Sequence, residues 1–464
     1  MIKNKIIIIK AFIKLIFSKY SFVLFILFYS SIIYPQRVVG YYPHWVSDQM
    51  SISSIDYSVV THINHAFAWP DQNGNILSYN NMFDSNLCEM VQENGSKILL
   101  SLGGWGNDAG FRTVVESYEL RSVFINNLLE VIDTYGYNGI DMDWEHPTSN
   151  EDRQNLNFLI AEMDSVFYQH NPELLITMAV PISNWSGQWY DFSFLRFYID
   201  FFNAMTYDIH GGWTSHAGHN SPLYSSPVGD PDGSCETGIN YLANTRGIPS
   251  NQINLGLPFW GKQYNASDIN MPFTGNVVDK LYKEVPNLID NGWSYEWDYT
   301  AYAPYLKKND QTKIITFDDS ESIKYKCEFA HNQNLGGVMI WALSYDLVEG
   351  EQKLIQSIDQ NYLSLNHESS DFFPETLSMR SYPNPFNSEN TIELDIQSSE
   401  KISIQLISLN GRLIGELLNR KLSNGKFYLK WDMKNIYPKP SSGVFFIKAT
   451  SKNIQTVEKI IYLK

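Results

Sequence analysis

The stretch YNGIDMDWEHP at residues 137–147 places three carboxylates at alternate positions among apolar residues. A β-strand directs every second side chain to the same face, so Asp141, Asp143 and Glu145 would share one face. The apolar residues between the three acids favour a packed strand over a solvated loop. Three carboxylates held this close repel one another, and at least one should therefore keep its proton near neutral pH.

Seven further runs of the same kind alternate with helical patterns between residues 37 and 346. Near-continuous apolar runs are typical of parallel strands that are buried on both faces. Eight of them predict a (β/α)8 TIM barrel with insertions, over residues 37–363. The eight runs are RVVGYYPHW (37–45), VVTHINHAFAW (59–69), SKILLSLGGW (96–105), YNGIDMDWEHP (137–147), LLITMAVP (174–181), IDFFNAMTYD (199–208), INLGLPFW (253–260) and GGVMIWALSYD (336–346).

Two connections of this barrel are longer than a simple turn. The loop over residues 210–236, after the sixth run, is rich in Gly, Ser and Pro and is too long to serve only as a connector. A second, small insertion is predicted over residues 265–294, after the seventh run.

The two ends of the chain differ from the barrel. Five Lys and no acid accompany the short apolar run at residues 21–33, which predicts a signal peptide over residues 1–36, with an uncleaved anchor as the alternative. A linker is predicted at residues 364–376. Residues 377–464 show alternating strands and Asn-Gly turns, which predict a small β-sandwich domain. The three cysteines indicate no disulfide framework.

The net charge of −16 is concentrated in the barrel region. Residues 37–375 carry 43 acidic and 16 basic residues, whereas residues 376–464 carry 7 and 13. An acidic domain argues against nucleic acid as a partner. Eleven of the 12 Trp also lie in the acidic region, which favours an uncharged ligand with apolar faces, such as a carbohydrate.

Two kinds of chemistry suit the carboxylates of residues 141–145. A protonated carboxylic acid beside an ionised one is what acid-catalysed cleavage of a glycoside requires. The predicted position at the carboxyl end of a barrel strand is where barrel enzymes hold their active sites. A Mg²⁺ or Ca²⁺ site is the alternative, because both ions bind carboxylate clusters. The spacing favours a glycosidase and leaves the metal site open.

The segments NGIDMDWEHP (138–147), SLGGW (101–105) and MTYD (205–208) resemble glycoside hydrolase family 18, the chitinases and their relatives. The resemblance covers about residues 37–350. Asn138 stands where the family usually has the first Asp of its motif, and His146 replaces a frequent Tyr. The family is an exception to the two-carboxylate scheme, since the N-acetyl group of the substrate acts as the nucleophile.

The resemblance implies a role for each catalytic residue. Glu145 would be the general acid and later the base. Asp143 would hold the acetamido N–H, and Asp141 would lie beneath it and share a proton with it. Tyr207 would donate its hydroxyl to the acetamido oxygen. The substrate-binding residues that it implies are Tyr41, Phe67, Gly104, Trp105, Met205, Asp208, Trp213 and Trp341.

These roles predict retaining hydrolysis of β-1,4 N-acetylglucosamine linkages in chitin or chito-oligosaccharides, without a metal or a cofactor. The alternatives are an endo-β-N-acetylglucosaminidase that acts on N-glycan cores and, in a different class, a chitin-binding lectin. Some chitinases carry a full α+β domain after the seventh strand, and this domain walls a deep groove. The predicted insertion is too small for such a domain, which favours a shallow cleft and internal cuts.

The C-terminal segments SYPNPFN (381–387), GVFFIKAT (443–450) and VEKIIYLK (457–464) resemble the sorting domain of type IX secretion. This resemblance implies contact with the secretion machinery and a secreted or cell-surface protein, which we expect to be a monomer. A carbohydrate-binding module is the alternative, but it would need several exposed aromatic residues on one face.

Overall fold

A computed structural model describes most of the two predicted domains, and the chain divides near residue 365 into two units. The predicted linker and residues 1–35 of the predicted signal peptide lie outside the described residues. The described ranges are 36–348, 350–363, 377–396, 400–408, 412–422, 425–436, 439–451 and 455–464.

The first unit is a closed barrel of eight parallel strands, as predicted. Each strand pairs with its neighbour along the chain, and the eighth pairs with the first. The strands are β1 (Arg37–Pro43), β2 (His62–Pro70), β3 (Lys97–Gly103), β4 (Gly139–Asp143), β5 (Leu175–Val180), β6 (Phe201–Ala204), β7 (Ile253–Pro258) and β8 (Gly337–Trp341). Every residue of β4 is buried, as expected for a strand enclosed on both faces.

Helices cover the outside of this barrel. The longest, Asn150–His170, begins where the Oγ of Ser149 accepts a hydrogen bond from the backbone N–H of Asp152 at 3.0 Å. It buries apolar side chains, including Leu156 and Ile160, each of which stabilises the fold by about 1.5–3 kcal/mol. The other α-helices are Ser85–Glu93, Ala109–Glu116, Tyr118–Tyr135, Asn184–Gly187, Phe192–Leu195, Cys235–Asn240, Ser320–Asn332 and Lys353–Ile358.

Within the described residues, no helix is both long enough and apolar enough to cross a bilayer. Cys88, Cys235 and Cys327 are buried as free thiols.

The insertion after β7 is an antiparallel sheet of five strands. In spatial order they are Thr274–Leu281, Trp260–Asn265, Ile314–Thr316, Ala303–Lys308 and Trp293–Asp298. The insertion is thus longer than the predicted 265–294, because residues 295–306 belong to the hairpin at one edge of its sheet. The expectation of a shallow cleft, which rested on a small insertion, loses its basis. Two short strand pairings complete the first unit: Ile76–Ser78 against β2, and Leu347–Val348 against Glu351–Gln352.

The second unit is all-β, as predicted, and consists of two antiparallel sheets. Ile392 and Leu394 of one sheet belong to the same buried cluster as Ile404 and Ile447 of the other. The three-stranded sheet contains Leu377–Tyr382, Glu389–Ile396 and Gly425–Asp432, and the four-stranded sheet contains Leu413–Leu422, Glu400–Ser408, Gly443–Thr450 and Gln455–Tyr462.

Candidate active site

The three predicted carboxylates form a line from the barrel interior to its mouth. Asp141 and Asp143 on β4 are buried, and the side chain of Glu145, two residues beyond the strand, is 16% exposed. Burial raises the pKa of Asp141 and, to about 7, that of Glu145. The negative charge of Asp208 is the second cause at Glu145. The outermost acid can therefore carry a proton near neutral pH.

Asp141 accepts hydrogen bonds from four strands. Its Oδ2 accepts from Tyr41 Oη at 2.6 Å and from Ser101 Oγ at 2.9 Å. Its Oδ1 accepts from Thr177 Oγ1 at 2.6 Å and from Asn203 Nδ2 at 3.0 Å. A carboxylate offers about four lone-pair sites. All of them are occupied here, so Asp141 has no lone pair left for the alternative Mg²⁺ or Ca²⁺ site.

The hydrogen bonds continue from Asp141 down the barrel interior. Asn203 Oδ1 accepts from Asn254 Nδ2 at 2.9 Å, and Asn254 Oδ1 accepts from Arg37 Nε at 3.1 Å. Arg37 begins β1, and Asn203 and Asn254 lie on β6 and β7. A chain of side chains thus links the start of the first strand to the buried carboxylate.

Asp143 differs from Asp141 in its partners. Its Oδ1 is buried and has no hydrogen-bond partner among the described residues. Burial, Glu145 and Asp141 together raise the pKa of Asp143 well above its ordinary value. A buried acceptor without a donor is costly, and a ligand that brings an N–H group would remove that cost.

Asp208, at the mouth, is held by a cation from the inserted sheet. Lys262 Nζ lies 2.7 Å from Asp208 Oδ1 and 3.0 Å from Asp279 Oδ1. The same Nζ lies 5.4 Å from the centre of the Trp213 ring. Lys262 therefore joins two predicted binding residues. It belongs to no motif, and sequence reasoning missed it.

An apolar surface lies beside the carboxylates. Met205, Tyr207 and Trp341 pack against the buried cluster that contains Tyr41 and Phe67. The rings of Phe67 and Trp341 are stacked, 5.6 Å apart at an angle of 17°. Among the described residues, the hydroxyl of Tyr207 hydrogen-bonds only to the sulfur of Met339, at 3.8 Å, and it can turn to a better acceptor.

Gly104 lies directly against this surface. Its φ is +78°, and a Cβ at this position would lie 2.4 Å from the Phe67 ring. A larger residue would displace the ring, so only glycine fits here.

Exposed tryptophans extend from the mouth. Trp105 is 76% exposed and Trp213 is 66% exposed. Trp185, which sequence reasoning missed, is 73% exposed. Trp105 and Trp185 both meet the His146 ring edge-on, with ring centres 6.1 and 5.8 Å away. Both therefore lie close to Glu145, whose Oε2 is 3.9 Å from His146 Nε2.

Asn138 precedes β4, at the opposite end of the strand from Glu145. Its Oδ1 accepts a hydrogen bond from the backbone N–H of Ile98 at 2.9 Å. An amide oxygen serves this purpose as well as a carboxylate does. Asn138 therefore links the start of β4 to β3 through its side-chain oxygen.

Two family models match this chain. The family model "Glycosyl hydrolases family 18" matches residues 37–346, and the model "Secretion system C-terminal sorting domain" matches residues 380–463.

Chitinase A1 of Niallia circulans is 27% identical over 399 residues, which cover 67% of this chain and 56% of that protein. Probable chitinase 2 of Drosophila melanogaster is 30% identical over 292 residues, with coverage of 57% and 59%. The chain thus spans somewhat more than half the length of these curated relatives.

Among solved structures, the Group IV chitinase of Ostrinia furnacalis superposes with a TM-score of 0.65 at 26% identity. The match covers 71% of this chain and all of that one. The chain therefore belongs to family 18 of the glycosyl hydrolases, and its barrel is followed by a secretion system C-terminal sorting domain.

Proposed function

We propose that the chain is a chitinase-type hydrolase that cleaves β-1,4 N-acetylglucosamine linkages with net retention. The observation that supports this most strongly is the pairing of two acids at the barrel mouth. Glu145 has a pKa of about 7, and the neighbouring Asp143 has a buried oxygen without a partner.

Glu145 supplies the proton. With a pKa of about 7, Glu145 is protonated in about half of the protein molecules at neutral pH. This suits a group that must first donate and later accept a proton. The protonated form donates to the glycosidic oxygen as the bond to C1 breaks. The ionised form then activates the water that completes hydrolysis.

Asp143 positions the nucleophile. Its unpaired Oδ1 accepts the N–H of the substrate's acetamido group and aims the carbonyl oxygen of that group at C1. The result is an oxazolinium ion, whose positive charge is stabilised by the carboxylate. Tyr207 donates its hydroxyl to the same acetamido oxygen. Asp141, two residues earlier on the same strand, is fixed by its four donors, and its charge helps to raise the pKa of Asp143.

The aromatic surface binds the sugars. Trp341 forms the floor under the cleaved residue, and the exposed rings of Trp105 and Trp213 stack on sugars further along the chain. Flat aromatic faces suit pyranose rings because both are broad and apolar. Two of the relatives above carry the name chitinase, which supports chitin as the substrate class.

A parallel digestion tests the proposal. The full chain is incubated with chitohexaose and with a high-mannose glycopeptide, the products are read by mass spectrometry, and the anomer released first is read by NMR. We expect short β-anomeric chito-oligosaccharides and an intact glycopeptide. Release of the glycan from the glycopeptide alone would instead assign the endo-β-N-acetylglucosaminidase activity.

The Glu145→Gln variant is the matched control for this digestion. It should bind chitohexaose and fail to cleave it. Binding without cleavage by the unmodified chain would support the lectin alternative, and unchanged turnover in the variant would refute the role of Glu145.

We further propose that the C-terminal domain directs export through type IX secretion, to the cell surface or the medium, as a monomer. The match of residues 380–463 to a sorting domain supports this route. A chain that lacks residues 377–464 should stay inside the outer membrane of a host with this system, while the full chain leaves it. Equal export of both would contradict the proposal.

A further inference from the structure

The long loop after β6 holds a second cluster of titratable side chains. One potential ligand atom from each of His210, His216, Asp230 and Asp232 lies within 4.8 Å of the other three. The catalytic proposal uses none of the four residues.

The spacing within this cluster is that of a metal-ligand set. His210 Nε2 lies 3.0 Å from Asp230 Oδ2 and 3.8 Å from Asp232 Oδ2. His216 Nε2 lies 3.2 Å from the same oxygen of Asp230. Around a tetrahedral Zn²⁺ with bonds of about 2.0–2.2 Å, neighbouring ligand atoms are about 3.3 Å apart. Small side-chain adjustments would therefore place all four atoms on one ion.

The hydrogen bonding of His210 is that of a metal-binding imidazole. Its Nδ1 lies 2.8 Å from the backbone carbonyl oxygen of His219, which can only accept, so Nδ1 carries a hydrogen. In a neutral imidazole, Nε2 then carries a lone pair and no hydrogen. That lone pair faces Asp230 Oδ2, another acceptor, and both side chains are fully buried. A metal ion between the two atoms would satisfy both.

The surroundings of the other ligands fit the same reading. His216 Nδ1 lies 3.4 Å from Ser215 Oγ, and its Nε2 is the nitrogen that faces the cluster. Asp230 Oδ1 accepts the backbone N–H of Asp232 at 3.0 Å, which holds its Oδ2 toward the cluster. Histidines that bind metals in proteins are oriented in this way, by an oxygen on the second ring nitrogen.

We propose that His210, His216, Asp230 and Asp232 bind one Zn²⁺ ion. Two imidazoles and two carboxylates suit zinc, whereas Ca²⁺ and Mg²⁺ prefer all-oxygen sites. The side chains of His216 and Asp232, which are 15% and 32% exposed, provide the entry path. The bound ion would tie the segment at residues 209–217, which carries Trp213, to the turn at residues 230–232.

Metal binding by the full chain tests the site directly. After dialysis against excess ZnCl₂ and then buffer, zinc per chain is measured by plasma mass spectrometry. Affinity is measured by calorimetry, with CaCl₂ in a parallel titration. We expect one zinc per chain, no bound calcium, and visible absorption bands of a tetrahedral site when Co²⁺ replaces zinc.

Two variants at the exposed side of the cluster should leave the fold intact, because His216 and Asp232 are its partly exposed members. His216→Gln and Asp232→Asn should each weaken zinc binding at least about tenfold. His170→Gln is the matched control, because His170 Nε2 lies 2.9 Å from Asp133 Oδ1 in an exposed pair to which the described part of the chain adds no third ligand. The control should bind zinc as the unmodified chain does.

Two results would overturn the proposed zinc site, and a third would overturn its effect on the loop. Less than about one tenth of a zinc per chain would assign the cluster to a buried imidazolium–carboxylate pair. Equal zinc affinity in His216→Gln, Asp232→Asn and the unmodified chain would place the ion elsewhere. If zinc does not slow amide hydrogen exchange at residues 209–217, the ion does not order this loop.

Discussion

Replacing Asp208 by asparagine should lower the pH at which the enzyme loses activity. The pKa of Glu145 is about 7, against an ordinary value of 4.5, because of burial first and the charge of Asp208 second. A negative neighbour disfavours the ionised form of an acid and so raises its pKa. Asparagine keeps the shape and removes the charge. The pKa of Glu145 should therefore fall, and the alkaline limb of the pH profile should move to lower pH.

The size of this change can be bounded. The pKa of Glu145 is about 2.5 above its ordinary value, and burial is the larger cause, so Asp208 contributes less than about 1.2 of it. If the pKa falls by about 1, the protonated fraction falls from about one half to about one tenth at pH 7 and changes by less than about one tenth at pH 5. The ratio of kcat/KM at pH 5 to that at pH 7 should therefore rise from about 2 to about 10.

The ratio of kcat/KM at pH 5 to that at pH 7 separates the change in the Glu145 pKa from any change in substrate binding. Any loss of substrate binding in Asp208→Asn lowers kcat/KM at both pH values alike, whereas the pKa changes their ratio. The assay is kcat/KM on a chromogenic chitobioside from pH 4 to 9. Asp279→Asn is the matched control, because Asp279 also pairs with Lys262, at 3.0 Å, but is not among the causes of the Glu145 pKa. An unmoved alkaline limb in Asp208→Asn, or an equal movement in Asp279→Asn, would refute the reasoning.

Three other substitutions test separate parts of the site. Glu145→Gln should melt at the same temperature as the unmodified chain at pH 4 and at a higher one at pH 8. Because the pKa of Glu145 is raised in the folded state, the unmodified chain loses up to about 3 kcal/mol of folding stability as pH rises from 4.5 through 7. A difference in melting temperature between variant and unmodified chain that calorimetry finds equal at pH 4 and pH 8 would contradict this. Thr177→Val removes one donor from Asp141 and should cost about 1–3 kcal/mol in urea unfolding and lower kcat with little change in KM; unaltered stability would count against the role of this hydrogen bond. Trp105→Ala should leave the melting temperature unchanged and raise KM for chitohexaose about two- to twelvefold, as expected for losing a stacking contact of about 0.5–1.5 kcal/mol; an unchanged KM would remove Trp105 from the binding site.

The barrel and its acids could be predicted because their signals are local. Alternating side chains within a few residues placed Asp141 and Asp143 on one face of a strand, and the structure has both there, buried on β4. The same holds for the eight apolar runs, each of which is a strand of the barrel. The roles assigned to the individual site residues remain predictions that the experiments above test.

The missed residues act through contacts that sequence spacing does not show. Thr177 and Asn203 are separated by 36 and 62 positions from Asp141, which they hold, and each is an ordinary polar residue in its own strand. Lys262 reaches Asp208 across 54 positions, from the inserted sheet. The extent of that sheet was missed because its strands, spread between residues 260 and 316, pair across long stretches of sequence. No local pattern predicts such pairings.

The line of side chains from Arg37 to Asp141 runs in one direction only. Arginine has only donors and an ionised carboxylate has only acceptors, so both asparagine amides between them must point the same way. Turning either amide over would set two donors or two acceptors against each other. The Oδ1 of Asp141 must therefore receive a hydrogen from Asn203. A proton on Asp141 can reside only on Oδ2, where the Tyr41 or Ser101 hydroxyl would have to turn and accept it. Arg37, the first residue of the first strand, thus determines which oxygen of Asp141 can carry a proton, through the two asparagines between them.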